Sequence, residues 1–240
     1  MESFKREIML IGNEKFDRLQ SSKVLIFGVG GVGGYVCEAL ARSGIGSFTL
    51  VDHDRVSESN INRQIIALHS TIGEYKVDVI KRRILDIYPK CDVEVKKMFY
   101  LPENKDEINF GEYDMIIDCI DTISAKLDII CEAHRLNIPH ISSMGAGNRL
   151  DPLKIKVGDV FETSYDPLAK VMRRELRKRG IHQCKVVYST EKALTPLFYD
   201  EQERKETNKR SIPGSSAFVP AAFGLVIASE AVKELLGCAL

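Results

Sequence analysis

Residues 23–63 read KVLIFGVGGVGGYVCEALARSGIGSFTLVDHDRVSESNINR, and this stretch decides the fold. The apolar run at residues 24–27 is typical of a parallel strand that is buried on both faces. A glycine turn over residues 28–33 leads from it into a helix-forming segment. Glycines let the backbone approach a phosphate closely, and the helix N-terminus supplies free N–H groups. The order strand, glycine turn, helix therefore indicates a nucleotide site.

A second predicted strand, residues 48–51, is followed by Asp52, whose carboxylate can accept hydrogen bonds from a ribose. Arg63 lies beyond this strand, and Lys76 begins the next predicted helix. Because ligands of open α/β sheets bind outside the carboxyl ends of the strands, both cations should lie on the rim that holds the nucleotide. Two fixed cations suit a triphosphate better than the pyrophosphate diester of NAD. An NAD-dependent dehydrogenase is the alternative that a glycine fingerprint alone allows.

Strand and helix patterns alternate up to about residue 145. Helical spacing of apolar residues predicts helices at residues 76–88 and 127–136. Predicted strands lie near residues 93–98, 115–117 and 139–141. This alternation predicts an α/β protein with a Rossmann-like, mostly parallel sheet and helices on both faces.

The pattern changes after residue 145. Leu153, Ile155 and Val157 alternate with lysines, which predicts a short antiparallel C-terminal extension of the sheet. Residues 190–216 are polar and rich in charge, and are predicted to form a mobile loop. Residues 211–229 carry no charge, but a membrane span needs about 20 strongly apolar residues, and this segment contains prolines, glycines and serines. We expect a buried helix there and no membrane span.

Charge and cysteine usage narrow the class of protein. The 240 residues carry no formal net charge, so contact with RNA would require a local basic patch. A predicted helix at residues 168–179 offers one, with a solvated helix face as the alternative. The possible tRNA surface consists of Lys170, Arg173, Arg174, Arg177 and Lys178. None of the six cysteines forms a CxxC pair and the N-terminus lacks the apolar core of a signal peptide, so we expect a cytoplasmic protein with reduced thiols.

Further motifs make the nucleotide site more specific. The glycine turn is followed by DHD at residues 52–54, NINRQ at residues 60–64, a Gly-x-x-Lys step that ends at Lys76, and DCID at residues 118–121. Together they resemble the adenylating superfamily of ubiquitin-activating enzymes, the HesA/MoeB/ThiF family, over nearly the whole chain. The GAG turn at residues 145–147, YDPL at 165–168 and FVP at 218–220 are similar to one branch, the tRNA threonylcarbamoyladenosine dehydratases.

This resemblance implies one adenylating domain, residues 1–240, with a nucleotide-binding half at 1–150 and a substrate and dimer half at 151–240. It implies ATP-dependent adenylation of the carboxylate of threonylcarbamoyladenosine in tRNA, followed by ring closure with net loss of water. The rival within the superfamily adenylates the C-terminus of a small ubiquitin-like sulfur-carrier protein, which leaves a ubiquitin-like or sulfur-relay partner open. Relatives of that kind often use a thiol in the crossover loop, and Cys184 is the cysteine nearest to that region.

The resemblance also implies roles for single residues. Asp121 would bind Mg²⁺, with N-capping of the following helix as the alternative. Arg6 would reach the partner's triphosphate across a homodimer interface, with a solvated surface arginine as the alternative. The ligands of the structural zinc that many relatives carry are missing, so we expect no such zinc. The implied nucleotide-binding residues are Gly28, Gly30, Gly31, Gly33, Asp52, Asp54, Asn60 and Gln64, and the implied catalytic residues are Arg63, Lys76, Asp121 and Arg6.

Overall fold

The computed structural model describes residues 2–198 and 213–237, so the central part of the predicted mobile loop at 190–216 lies outside the described residues. The described chain builds a seven-stranded sheet in the order β3-β2-β1-β4-β5-β7-β6. The strands are β1 (Lys23–Phe27), β2 (Ser47–Val51), β3 (Asp92–Lys96), β4 (Met115–Asp118), β5 (His140–Ser143), β6 (Ile155–Asp159) and β7 (Lys185–Ser189). The α-helices are α1 (Lys5–Ile11), α2 (Asn13–Ser21), α3 (Gly33–Arg42), α4 (Lys76–Ile87), α5 (Ile123–Leu136), α6 (Pro167–Lys178) and α7 (Phe218–Leu236).

The sheet is parallel except at one edge. β1 pairs in parallel with both β2 and β4, and β6 pairs antiparallel with β7. The chain moves outward from β1 to β3 on one side and from β4 to β5 on the other. The strand order therefore reverses between β1 and β4, and at such a switch point the connections leave a crevice at the carboxyl ends of the strands. The predicted Rossmann-like fold with an antiparallel extension is confirmed.

Apolar side chains of β1 face two separate cores. Val24 and Ile26 belong to the cluster that lies under α3, α4 and α7. Leu25 and Phe27 belong to the cluster on the opposite face, under α5. All four side chains are fully buried. Helices on both faces of the sheet thus explain why the strand is apolar at every position rather than at every second one.

The N-terminal segment forms two helices, α1 and α2, because Gly12 adopts a φ of +83° between them. Two local predictions needed adjustment. Leu153 lies in a 3-10 turn, Pro152–Lys154, that precedes β6, and Met98 lies beyond the end of β3. The expected buried helix is present as α7, and no described helix is long and apolar enough to cross a membrane.

His140 makes the stability of the fold sensitive to acid. Burial lowers the pKa of this imidazole, and its Nε2 atom has no hydrogen-bond partner among the described residues. Below about pH 6.5, the ordinary pKa of histidine, the unfolded chain takes up a proton before the folded chain does. Stability should therefore decline as the pH falls from that value towards the lower pKa of the folded state.

We expect His140→Gln to reduce this acid sensitivity. Urea unfolding at about pH 7.5 and about pH 5.5 should show a smaller loss of stability in the variant than in the wild type, with a difference of at most about 1.4 kcal/mol per pH unit. His134, Asp118 and Glu234 also act on this ring and are unchanged in the variant. His182→Gln, at an exposed position, is the matched control. Equal pH dependence in wild type and His140→Gln would contradict the assignment.

Candidate active site

The glycine turn joins β1 to α3 in a conformation that larger residues would not permit. Gly28 has a φ of +82°, in the left-handed region that favours glycine. A Cβ atom on Gly33 would lie 1.8 Å from the carbonyl oxygen of Gly28. The turn is therefore closed on itself, and the first residues of α3 start directly beside the end of β1. Its backbone N–H groups are suited to an anion.

Asp52 lies directly after β2, and its carboxylate fixes the backbone of the glycine turn. One carboxylate oxygen accepts a hydrogen bond from the N–H of Val29 at 2.9 Å, and the other accepts one from the N–H of Asp54 at 2.9 Å. The predicted ribose ligand is thus held in a fixed orientation beside the glycine turn. Carboxylate oxygens with further lone pairs can accept from a ribose hydroxyl in the same position.

Lys76 lies at the start of α4 with its ammonium group directed to Asp54. The Lys76 Nζ atom is 2.7 Å from Asp54 Oδ2, and His53 Nε2 is 3.2 Å from Asp54 Oδ1. Lys76 is 6% exposed, whereas the carboxylate of Asp54 is half exposed. Asp54 is therefore the counter-ion of the rim lysine. Its implied contact with the nucleotide stays a prediction.

Arg63 and Gln64 line the other side of the glycine turn. Arg63 Nη1 donates to Ser59 O at 2.8 Å and to Asn62 Oδ1 at 2.9 Å. The Arg63 Cγ atom is 3.6 Å from the point that a Cβ on Gly31 would occupy, and Gln64 Nε2 is 3.7 Å from the corresponding point on Gly30. Gln64 Oε1 is buried and has no hydrogen-bond partner in the described part of the chain. An unsatisfied buried acceptor beside a glycine turn is typical of a ligand site.

Asn60 holds the loop that presents these residues. It is buried, and its Oδ1 atom accepts a hydrogen bond from the Ser57 N–H at 3.2 Å. Its backbone carbonyl accepts from the N–H groups of Arg63 and Gln64. Asn60 therefore shapes the loop that carries Arg63 and Gln64, and its contact with the nucleotide stays a prediction.

Asp121 lies in the connection between β4 and α5 and is exposed. The N-cap position of α5 is Thr122, so Asp121 does not fill the capping position that its sequence context allowed. Among the described residues, Asp52, His53 and Asp54 form the group whose ligand atoms lie within 4.8 Å of one another, and Asp121 is not part of it. Asp52 and Asp54 accept backbone and lysine hydrogen bonds beyond the end of β2, and Asp121 is an exposed carboxylate beyond the end of β4.

A buried ion pair under the rim was missed by the sequence analysis. Asp118 ends β4 and is 1% exposed, and Lys126 of α5 is fully buried with its Nζ atom 2.8 Å from Asp118 Oδ2. Ser142 Oγ donates to the same oxygen at 2.6 Å. One signal was present in the sequence, because Lys126 precedes Ile129 and Ile130 by three and four positions and so lies on the apolar face of its helix.

Arg6 follows a segment that packs at the opposite end of α4 from Lys76. The neighbouring Phe4 ring packs 5.0 Å from the Tyr88 ring, at the carboxyl end of α4. Lys76 begins that helix, and 12 helical residues span about 18 Å. Arg6 is exposed and, within the described residues, makes no hydrogen bond or ion pair.

The basic helix α6 is less highly charged on its surface than its sequence indicated. Arg173 donates to Thr163 O at 3.0 Å and to Thr163 Oγ1, so it holds the preceding turn rather than facing a ligand. Glu175 pairs with Arg174, Lys178 and Arg179. Hydrogen bonds from Lys178 and then Arg174 lower the pKa of Glu175 to about 2.

Cys184 lacks the properties of a reactive thiol. It is buried at the start of β7, and burial raises the pKa of its thiol to about 12. A thiol with this pKa is protonated at neutral pH and is a poor nucleophile. Cys184 therefore does not support the carrier-protein alternative.

The crevice combines a glycine turn at a helix N-terminus, an oriented ribose-side carboxylate, and two cations on one rim. This combination defines the class of Rossmann-like nucleotide-binding proteins. A model of the ThiF family matches residues 4–240, and the chain belongs to the ThiF family.

Several similar proteins are tRNA threonylcarbamoyladenosine dehydratases. The tRNA threonylcarbamoyladenosine dehydratase of Bacillus subtilis strain 168 is 42% identical over 245 residues, covering 98% of this chain and 95% of the relative. The crystal structure of the Escherichia coli tRNA N6-threonylcarbamoyladenosine dehydratase in complex with AMP superposes with a TM-score of 0.89 at 34% identity, covering 98% of this chain and 94% of the other. The same enzyme in complex with ATP gives a TM-score of 0.87 at 34% identity and the same coverage.

Proposed function

We propose that this protein is an ATP-dependent tRNA threonylcarbamoyladenosine dehydratase. The observation that carries the proposal is the rim itself, where Arg63 lies beside a closed glycine turn held by Asp52. Lys76 is paired with Asp54, whose N–H group is bonded to the same Asp52. The similarity to dehydratases over nearly the whole length of both chains supports this substrate. A cytoplasmic location follows from a tRNA substrate and from thiols that are free among the described cysteines.

The chemistry requires two displacements. A carboxylate oxygen of the substrate attacks the α-phosphorus of ATP, the bond to the bridging oxygen of the β-phosphate breaks, and pyrophosphate leaves. The neighbouring amide oxygen of the same substrate then attacks the acyl carbon of the adenylate, AMP leaves with the former carboxylate oxygen, and the N–H proton of that amide passes to solvent. Both nucleophiles belong to the substrate, so positioning and charge stabilisation are the main tasks of the protein.

The residues of the rim divide these tasks. The glycine turn and the helix dipole of α3 bind phosphate oxygens, and Asp52 orients the ribose. Arg63 offers a planar fork to the triphosphate. The ammonium group of Lys76 can leave its ion pair with Asp54 and bind the phosphates instead. Asp54 is half exposed, so water can hydrate its carboxylate when the lysine turns away. Gln64 and the Asn60 loop close the side of the turn.

Asp121 is suited to hold Mg²⁺, which usually binds one or two protein carboxylates together with phosphate oxygens and water. The fit rests on the exposure of Asp121 beside the nucleotide crevice, whereas Asp118 is buried and already paired with Lys126. When bound, the ion would neutralise charge on the triphosphate. Asp121 itself would fix where the triphosphate lies relative to Arg63.

A homodimer would supply Arg6 to the triphosphate. Arg6, Met9 and Leu10 lie three and four positions apart and so share one face of α1, and Met9 and Leu10 are strongly exposed. The Phe4 ring, two residues before Arg6, contacts Tyr88 at the end of α4, about 18 Å along the helix from Lys76, which favours action on a partner's rim. The apolar pair would pack against a second copy while Arg6 enters its crevice.

Mass spectrometry of tRNA tests the proposed activity directly. Purified protein, ATP and Mg²⁺ should convert tRNA that carries the open modification into a product lighter by one water, with release of AMP and pyrophosphate. Protein without ATP is the control. Pyrophosphate exchange that depends on a small ubiquitin-like protein, without any change in the tRNA, would instead establish the alternative.

We expect α6 to contact the tRNA backbone through its outer cations. Lys170→Glu combined with Arg174→Glu should weaken tRNA binding by about tenfold or more and reduce its dependence on salt concentration, because phosphate contacts release counterions. Arg173 is left unchanged, since its loss would release the Thr163 turn. Lys90→Glu, an equally exposed lysine in the turn between α4 and β3, is the control. Unchanged affinity for tRNA in the double variant would show that α6 presents a solvated face that does not bind tRNA.

A further inference from the structure

Lys126 makes three hydrogen bonds that join three segments. Its ammonium group lies 2.8 Å from Asp118 Oδ2 at the end of β4. It also donates to the carbonyl of Ile120 at 3.1 Å, and to the carbonyl of Ser143 at 2.8 Å, at the end of β5. An ammonium group has three N–H donors, so all of them are used.

Stability alone does not explain a lysine in this position. Replacing a buried ion pair by apolar side chains is often neutral or stabilising, because the charges lose their hydration. α5 already buries Ala125, Ile129 and Ala133 against the sheet, so an apolar side chain would fit the local pattern. What an apolar residue could not do is bind the two carbonyl oxygens and the carboxylate at the same time.

The bonded segments are parts of the proposed active site. Ile120 directly precedes Asp121, so its carbonyl fixes the backbone that carries this carboxylate. The N–H of Ile120 also donates to Asp118 Oδ1 at 3.2 Å, so both the N–H and the carbonyl of Ile120 are bonded. Ser143 precedes the turn at residues 145–148, where the N–H of Gly145 donates to Asp166, the N-cap of α6. Lys126 thus links the phosphate side of the crevice to the substrate side.

We infer that Lys126 is a positioning residue that fixes the loop of Asp121 against the end of β5 and so sets the metal affinity of the nucleotide complex. The inference rests on the proposed function, because it takes Asp121 as a metal ligand. Lys126 is fully buried beneath the rim and does not touch the substrate. Groups that orient a metal ligand in this way commonly alter metal affinity by about 10–100-fold when they are removed.

The test measures metal binding without turnover. Mn²⁺ is titrated into protein saturated with an ATP analogue that has a methylene bridge between its α- and β-phosphates, and free Mn²⁺ is followed by electron paramagnetic resonance. The variant is Lys126→Met combined with Asp118→Asn, because Lys126→Met alone would leave a buried carboxylate without its partner. We expect Mn²⁺ to bind at least about tenfold more weakly, while affinity for the analogue without metal changes less than about twofold.

Leu127→Ala is the matched structural control. Leu127 is the next residue of α5 and is buried in the core under α6, so the variant weakens the helix packing without touching the Asp121 loop. It should leave Mn²⁺ affinity unchanged. Lys126→Arg, which keeps the charge and several donors, should retain most of the Mn²⁺ affinity of the wild type. Hydrogen exchange without metal should be faster for the amides of residues 119–122 in the double variant than in Leu127→Ala.

Each outcome is decisive for one claim. A folded double variant with wild-type Mn²⁺ affinity and wild-type exchange at residues 119–122 would overturn the positioning role. Unchanged Mn²⁺ binding in Asp121→Asn would remove the metal assignment and the inference with it. The proposed dehydratase activity is judged separately by the mass of the tRNA product in the wild-type protein, so the two failures can be told apart.

Discussion

Lys76→Met should reduce formation of the adenylate by about 10²–10³-fold, the usual effect of removing one group that stabilises charge in a transition state. Methionine retains the length and the apolar stem of lysine, so the start of α4 can keep its packing. The carboxylate of Asp54 loses the lysine, but it keeps its contact with His53 and is half exposed, so water can hydrate it. The variant should therefore fold normally and still bind ATP. Its rate of pyrophosphate release should fall, whereas its melting temperature should stay close to that of the wild type.

Lys185→Met is the control for this experiment. Lys185 is also ion-paired, with Glu230 at 3.0 Å and Glu234 at 3.2 Å, but it begins β7 at the amino edge of the sheet. Lys185 is 35% exposed, and loss of such a partly exposed ion pair should change stability by about 1 kcal/mol. Its activity should stay close to that of the wild type. A Lys76→Met enzyme that retains more than about half of the wild-type rate would show that the rim does not stabilise the reacting phosphate.

Gly33→Ala should disrupt both nucleotide binding and stability. The added methyl group would lie 1.8 Å from Gly28 O, a backbone atom that cannot rotate away. The N–H of Gly28 is bonded to Val51 O at 2.8 Å, and the N–H of Cys119 to Phe27 O at 2.8 Å, so the end of β1 is held by both neighbouring strands. Relief requires α3 to move away from the sheet, which separates its N-terminus from the phosphate position.

We expect this substitution to weaken ATP binding by at least about tenfold and to lower the free energy of unfolding by about 1–3 kcal/mol or more, as overpacking usually does. Isothermal titration calorimetry and urea unfolding provide the two measurements. Gly34→Ala is the matched control in the same helix, since its methyl group would meet a side-chain carbon of Ile65 at 3.1 Å, which can adjust. Equal ATP affinity in the two variants would mean that the closed turn is not the phosphate site.

Local pattern was sufficient to predict the order of strands and helices. Alternation of buried strands with amphipathic helices leaves few topologies, since parallel strands require right-handed crossovers. The rim could also be predicted, because the carboxyl ends of adjacent parallel strands meet at one edge whatever the details of packing. Asp52 and Arg63 lie beside the glycine turn, and Lys76 is paired with Asp54, whose N–H group is bonded to Asp52. Their roles in catalysis stay predictions that the variants above test.

Contacts between distant segments could not be predicted. The partner of Lys126 lies eight residues away along the chain, but its third bond is to Ser143 on another strand. Arg173 looks like a member of a basic surface until the turn at Thr163 folds back against it. Only the type of a charged residue can be read from the sequence. Whether its side chain is available to a ligand depends on which backbone groups the fold places within hydrogen-bonding distance.

The sequence by itself determined the sheet, the glycine turn and the cations that follow its second strand, because these depend on residue type and short-range periodicity. Tertiary structure alone decided which charges remain available to a ligand. It paired Lys76 with Asp54, buried Asp118 with Lys126, and packed Phe4, near Arg6, at the far end of α4. The physical reason is that an ion pair requires only a few ångströms of separation in space, which the order of residues along the chain does not specify.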